Sequence, residues 1–226
     1  MLPKNNTPFL PKVSRRFPSA RSTNGLVADL IAGGNYPANG AVFVATSQTA
    51  GRGQGSNTWY ASPGKNLTLS VAAYPSFLAV DDLFALNQVA ALAVTRTLMA
   101  LLPPPHGTRV RAKYPNDVYV GQQKIAGILI QNGLRGRHVA WTVLGIGLNV
   151  NEAAFPGPLQ RTATSPRLLT GRSYNLEEVL AQLLDHLRAT YELARTNLPA
   201  LQREWDSLLT GRGIRGPLAS AADDGP

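Results

Sequence analysis

The stretch Gln48-Thr49-Ala50-Gly51-Arg52-Gly53-Gln54-Gly55 carries the residues with the clearest chemical potential. Its glycines let the backbone approach a ligand with N–H groups exposed. An arginine between two of them adds a planar positive fork suited to phosphate or carboxylate. Such a loop points to a bound anion, and to a nucleotide phosphate in particular. Trp59 follows, and then Ser62-Pro63-Gly64-Lys65-Asn66-Leu67. A second group is Lys113-Tyr114-Pro115-Asn116-Asp117 with Lys124-Ile125-Ala126-Gly127-Ile128-Leu129. Pro115 and Asn116-Asp117 dictate a turn, so Lys113 stands at a corner and Lys124 on the return strand. Two lysines beside an Asn-Asp pair suit carboxylate and phosphate groups. The third group is Gly145-Ile146-Gly147-Leu148-Asn149-Val150-Asn151. Its glycines admit a close approach by a ligand, and Asn149 offers hydrogen bonds.

The elements that must position these groups follow from periodicity. Ser22 or Thr23 caps a helix carrying Leu26, Val27, Leu30 and Ile31, which Gly33-Gly34 ends. Strands are expected near 41–46 and 67–74. Asp81 or Asp82 is the expected cap of a long helix that stops before Pro103-Pro104-Pro105. Short strands follow at Arg109–Lys113, Val118–Val120, Lys124–Gln131 and His138–Gly145, with a tight turn at Gly121-Gln122. Asn175 or Ser173 caps a helix through Leu187, and a last helix covers 197–209. Strands in the middle with helices at the flanks predict an α+β fold with a mixed, mainly antiparallel sheet. Residues 1–20 read as an extended or loosely ordered lead-in, 21–209 as one catalytic domain, and 210–226 as a disordered tail.

Composition narrows the function classes. The 226 residues contain no cysteine, which excludes disulfides, thiolate metal sites and cysteine nucleophiles. His106, His138 and His186 lack metal-ligand spacing, so no metal site is expected. No apolar run reads as a membrane span, and the N-terminus has no secretory apolar core. A cytoplasmic protein is expected. The net charge is +9, and Lys4, Lys12, Arg15, Arg16 and Arg21 all precede the first acidic residue, Asp29. Nucleic acid, an acidic protein partner or an anionic substrate would each suit that balance.

Taken alone, Ser22-Thr23-Asn24 is a helix cap, Arg52 a solvated charge and Trp59 a core residue. Their order along the chain decides otherwise. Ser-Thr-Asn, Gln-x-Ala-Gly-Arg-Gly with its tryptophan, Ser-Pro-x-x-Asn-Leu, Lys-x-Pro-Asn-Asp, Lys-x-x-Gly-Ile-Leu and Gly-Ile-Gly-x-Asn-Val-Asn resemble the motif series of the biotin–protein ligases. The resemblance covers roughly residues 20 to 209. It implies a class II synthetase-like catalytic domain that forms biotinyl-5′-AMP from biotin and MgATP. The biotinyl group then passes to a lysine of a biotin carrier protein, such as the acetyl-CoA carboxylase carrier subunit. It implies Lys113 and Arg52 as catalytic residues. Ser22, Thr23, Asn24, Gln48, Arg52, Gly53, Gln54 and Lys113 would hold biotin, and Gly51, Arg52, Trp59, Asn116, Lys124 and Asn149 the nucleotide. ATP with Mg2+ is the co-substrate, and a monomer or homodimer without membrane or sequence-specific DNA binding is expected.

The chain departs from the family pattern in three places. Gln54-Gly55-Ser56-Asn57 stands where further arginines and a glycine are usual, which predicts weaker retention of the adenylate. Tyr114 replaces a tryptophan. Residues 210–226 stand where a small β-domain is usual, so a truncated, weakly active biotin- or adenylate-binding protein is an alternative. A lipoate-type ligase and a basic nucleic-acid-binding protein are the others.

Overall fold

The computed structural model describes residues 7–209. The elements run β1 (Lys12–Phe17), α1 (Thr23–Ala32), β2 (Ala41–Ala45), β3 (Leu67–Ala73), α2 (Ala85–Leu101), β4 (Val110–Lys113) and β5 (Asp117–Val120). They continue with β6 (Gln123–Arg135), β7 (His138–Leu148), α3 (Leu159–Thr162), α4 (Pro166–Thr170), α5 (Leu176–Thr196) and α6 (Leu198–Leu208). The strands form one sheet in the order β1-β2-β3-β7-β6-β5-β4. β1 and β2 are parallel, and every other neighbouring pair is antiparallel.

Two layers cover the sheet. On one face α2, α5 and α6 build the main core with Leu69, Val118, Ile128 and Leu144. On the other face α1 packs Val27 and Ile31 against Phe43, Ala72 and Val143. β2 and β3 lie under both layers and are buried at every position. That is why their sequences are continuously apolar or small rather than alternating.

The α1 start follows the expected local chemistry. The Ser22 hydroxyl accepts from the Gly25 N–H, and Gly33 with Gly34 (φ 77°) ends the helix. Asn175 caps α5 through the Glu177 N–H. The acidic pair Asp81-Asp82 does not cap α2: it lies in a single 3-10 turn, Val80–Asp82, and α2 begins after Phe84 without a side-chain cap. The whole stretch Val80–Leu101 is long and apolar enough, by length and hydropathy, to cross a membrane. Leu86, Val89, Leu92, Ala93 and Leu98 are buried in the core, so that apolarity serves packing. Part of the lead-in is an extended strand. From Lys12 it forms a sheet strand whose register with β2 runs from Lys12↔Ala41 to Phe17↔Ala45. The tail, residues 210–226, lies outside the described residues.

Candidate active site

A cavity of about 550 Å3 opens on the α1 face of the sheet, within the size range of small-molecule sites. Its inner end is built by the start of α1. The Thr23 N–H and hydroxyl lie 2.7 and 3.2 Å from Gln48 Oε1. Ser70, fully buried on β3, places its hydroxyl 2.5 Å from Asn24 Oδ1 and 2.7 Å from Thr23 Oγ1. Asn24 donates through Nδ2 to the Leu129 carbonyl at 2.9 Å. Asn24 Oδ1 can only accept, so the single Ser70 proton belongs to it, and the Thr23 hydroxyl is left to donate to Ser70 or Gln48. Gln48 Oε1 is occupied by Thr23, which leaves its NH2 group as the donor for another partner. A cavity end with such fixed donors and acceptors recognises a polar ligand head rather than a hydrocarbon one.

The glycine-rich stretch is a short hairpin rather than an open loop. The Trp59 N–H donates to the Gly51 carbonyl at 3.0 Å, Gly53 N–H to the Asn57 carbonyl at 2.8 Å, and Gln54 to Asn57 forms the turn with Gly55 at φ 64°. Arg52 stands between these bonds, paired in the bridge to Thr58. It is exposed, lines the cavity and has no ionic partner among the described residues. Its guanidinium is therefore available for an anion.

The hairpin returns Trp59 across the sheet. Gly127 and Gly147 are directly paired on β6 and β7. A Cβ on Gly147 would fall 2.7 Å from Trp59 Cζ2 and Nε1, and one on Gly127 3.0 Å from Cζ3. A Cβ on Gly145 would likewise meet Asn24, 2.7 Å from Cγ. These glycines thus make room for the protein's own Trp59 and Asn24, and only through them shape a ligand site.

The opposite wall is basic and acidic together. Lys124 Nζ lies 2.6 Å from Asp117 Oδ1 and 5.8 Å from the Trp59 ring centroid. Tyr119, next to it on β5, also lines the cavity. Tyr119 was not singled out from the sequence as a site residue, and Asp117 only as half of the Asn-Asp pair. The signal was the strand alternation of β5, which puts both on the face away from buried Val118 and Val120.

The cavity brings together Ser22, Thr23, Asn24, Gln48, Arg52, Gly53, Gln54, Trp59, Asn116 and Lys124. Three expected site residues fall outside its lining. Gly51 is buried at the base of the hairpin, where a Cβ would meet the Trp59 carbonyl 2.5 Å away. Lys113 is exposed on β4, an edge strand, with its Nζ 4.9 Å from the Tyr119 ring centroid. The Pro115 turn does hold a lysine at a corner: Lys113 pairs with Asp117 across β4 and β5, on the same face of the sheet, and sits at the margin of the cavity beside Tyr119. Asn149 is buried and fastens the end of β7, donating through Nδ2 to the Thr164 carbonyl at 3.0 Å. Asn116 does line the cavity, while its Nδ2 is held by the Ile128 carbonyl at 3.0 Å.

The Ser62–Leu67 stretch serves a neighbouring structural node. Buried Glu152 accepts from the Ser62 N–H, the Ser62 hydroxyl and Asn66 Nδ2, at 2.7, 3.0 and 2.7 Å. Asn66 Oδ1 accepts from the Val150 N–H. This joins the segment after the hairpin to the segment after β7. Among the described residues, no three histidine or carboxylate side chains converge on a metal-sized position.

Comparison with known proteins agrees with this architecture. Residues 17–149 match the biotin/lipoate A/B protein ligase family. The biotin–[acetyl-CoA-carboxylase] ligase of Mycobacterium tuberculosis is 31% identical over 92% of this chain and 77% of its own. The bifunctional ligase/repressor BirA of Bacillus spizizenii is 29% identical over 85% of this chain, which spans 58% of BirA. The fold matches the biotin protein ligase of Aquifex aeolicus, solved with biotin and ATP, at a TM-score of 0.74 and 24% identity, covering 87% of this chain and 78% of that one. With the family match covering more than half the sequence, the chain belongs to the biotin/lipoate A/B protein ligase family.

Proposed function

We propose that this chain is an ATP-dependent ligase that converts biotin to biotinyl-5′-AMP and transfers the biotinyl group to a lysine of a biotin carrier domain. The observation that carries this reading is the continuity, in one cavity, of a hydrogen-bonding inner end at Thr23, Asn24 and Gln48 with a cationic wall at Arg52 and Lys124. A ureido ring has donors and an acceptor to match the first, and a carboxylate beside an α-phosphate needs the second. A dithiolane ring offers no such donors, so the inner end favours biotin over lipoate.

In the first step a biotin carboxylate oxygen attacks the α-phosphorus of ATP and pyrophosphate leaves. Two anions must approach, and fixed positive charge lowers that barrier. Lys124 and Arg52 supply it here, and Asp117 holds the Lys124 ammonium in place. Lys124 takes the role expected of Lys113. Trp59 and the 51–59 hairpin shield the mixed anhydride from water. In the second step the acceptor amine attacks the acyl carbon and AMP leaves. Among the described residues Asp117 is the only carboxylate lining the cavity, so Mg2+ would arrive with ATP and be held chiefly by the phosphates. The cytoplasm, where ATP and carrier proteins meet, is the proposed setting.

The test is biotin-dependent release of pyrophosphate from MgATP, followed by labelling of an isolated carrier domain. Biotin-driven release with labelling supports the reading. Release driven by lipoate instead, or by neither acid, overturns it.

A further inference from the structure

A second groove, of about 680 Å3, runs between β1 and α1 and meets the cavity at Ser22 and Arg52. We propose that it docks an extended, acidic segment of the acceptor protein, an inference that rests on the ligase reading above. Its floor is apolar: Phe17 from β1 faces Leu26 and Leu30, one helical turn apart on α1. Its rim is cationic. Arg15, Arg21 and Arg52 are exposed and have no ionic partner among the described residues, and Asp29 is the one acid lining the groove. Arg16, the neighbour pointing to the other face, is by contrast paired with Glu177 at 2.6 Å.

The shape selects the occupant. α1 has 10 residues, about 15 Å of length, too long a wall for one phosphate group. β1 is an edge strand and, among the described residues, pairs only with β2, so its outer N–H and C=O groups can accept an added strand. An acidic strand or arm would satisfy that edge, place apolar side chains on Phe17 and Leu30, and neutralise the arginines. At its far end, Arg52 and Ser22 belong to both groove and cavity. A segment in the groove thereby brings an acceptor lysine to the end of the cavity where the adenylate forms.

The test separates adenylation from acceptor binding. Arg15→Glu and Arg21→Glu are compared with Arg188→Glu, which makes the same charge change on α5. Biotinyl-adenylate formation is measured without acceptor, KM with an isolated biotin carrier domain, and affinity for the unmodified carrier domain by direct titration. Each groove variant should raise the carrier KM and Kd about tenfold and leave adenylate formation unchanged, while Arg188→Glu moves neither. Unchanged carrier affinity, or an equal change for Arg188→Glu, overturns the proposal. Weakened MgATP or pyrophosphate binding with unchanged carrier affinity also overturns it and makes the groove a phosphate subsite. If wild-type protein forms no adenylate, the ligase reading fails, while the titration still decides whether the groove binds the carrier.

Discussion

Trp59 lies against Gly147 so closely that no β-carbon fits at that position of β7: it would stand 2.7 Å from the indole Cζ2 and Nε1. The contact ties the tip-returning strand of the hairpin to the middle of the sheet. Because Gly147 pairs with Gly127, a shelf without side chains spans two strands, and the indole rests on it. The position of Arg52 is set from below by this contact, since the Trp59 N–H bonds the carbonyl of Gly51, the residue just before it.

Gly147→Ala should therefore lift Trp59 and, with it, the hairpin. Overpacking of this kind costs about 1–3 kcal/mol of stability. Adenylation should fall further than stability does, because Arg52 moves. The check is thermal unfolding beside pyrophosphate release, with a red-shifted Trp59 emission as the direct sign of displacement. Unchanged adenylation in a folded variant would show that the indole does not place Arg52.

Lys124 and Lys113 can be told apart by the same assay. Lys124→Ala removes the ammonium from the cavity and leaves Asp117 without its counter-ion. Adenylation should drop by about 100-fold or more, the scale of losing one fixed charge donor from a transition state. Lys113→Ala removes a cation resting on Tyr119 at the sheet margin and should change the rate no more than a few-fold. The reverse ranking would restore Lys113 as the catalytic lysine.

This pair also marks how far the sequence can be read. The helix caps at Ser22 and Asn175, the turn at Gly121 and the alternation of β5 are local, and local chemistry declares them. So are the residue types around Arg52 and Thr23 that suit an anion and a polar head. The order of strands in the sheet is a long-range property. It decides that Lys124, on β6, lines the cavity while Lys113, on the edge strand β4, stands at its margin on the same face. At Asn149 the polar side chain signals a hydrogen bond, and only the fold shows that its Nδ2 meets the Thr164 carbonyl. Gly145 and Gly147 signal a close approach, and only the fold shows that Asn24 and Trp59 make it. β1 is short, charged and proline-flanked, so its sheet partner could not be inferred from its own residues.

Ser70 fixes the inner end without reaching the ligand itself. Ser70→Ala would leave Asn24 Oδ1 buried with no donor, at a cost of about 1–3 kcal/mol. Freed of that bond, Asn24 and Thr23 can rotate, and the Gln48 amide loses its fixed sense. Biotin KM should rise about tenfold while ATP KM stays the same. Equal loss for both substrates would indicate general loosening of the fold instead.

Stability should also depend on one histidine far from the site. His186, on α5, has its pKa lowered from the ordinary 6.5 by burial and, secondarily, by the Arg96 charge. Its Nδ1 lies 3.0 Å from the Thr97 hydroxyl. Below the unfolded-state pKa the unfolded chain binds this proton more readily than the folded one. Stability should thus fall as pH drops through about 6.5 and level off once both states are protonated. Urea unfolding between pH 5 and 8, on the order of that range, should show the slope, and His186→Gln should flatten it. A variant with the same slope as wild type would assign the pH dependence to other groups.

Retention of the adenylate can be tested at Gln54, which lines the cavity two residues beyond Arg52. The turn it opens is neutral: Gln54-Gly55-Ser56-Asn57 carries no charge to reinforce Arg52. The mixed anhydride should therefore leave the site readily in the wild-type chain. Gln54→Arg adds a second guanidinium on the same exposed hairpin, where a charge-assisted hydrogen bond to phosphate is worth enough to slow release by about tenfold. The measurement is dissociation of preformed biotinyl-5′-AMP, chased with excess biotin and followed through Trp59 emission. Slower release with an unchanged first step would show that the missing arginine governs retention. An unaltered rate would mean that Trp59 and the buried inner end, rather than hairpin charge, hold the intermediate.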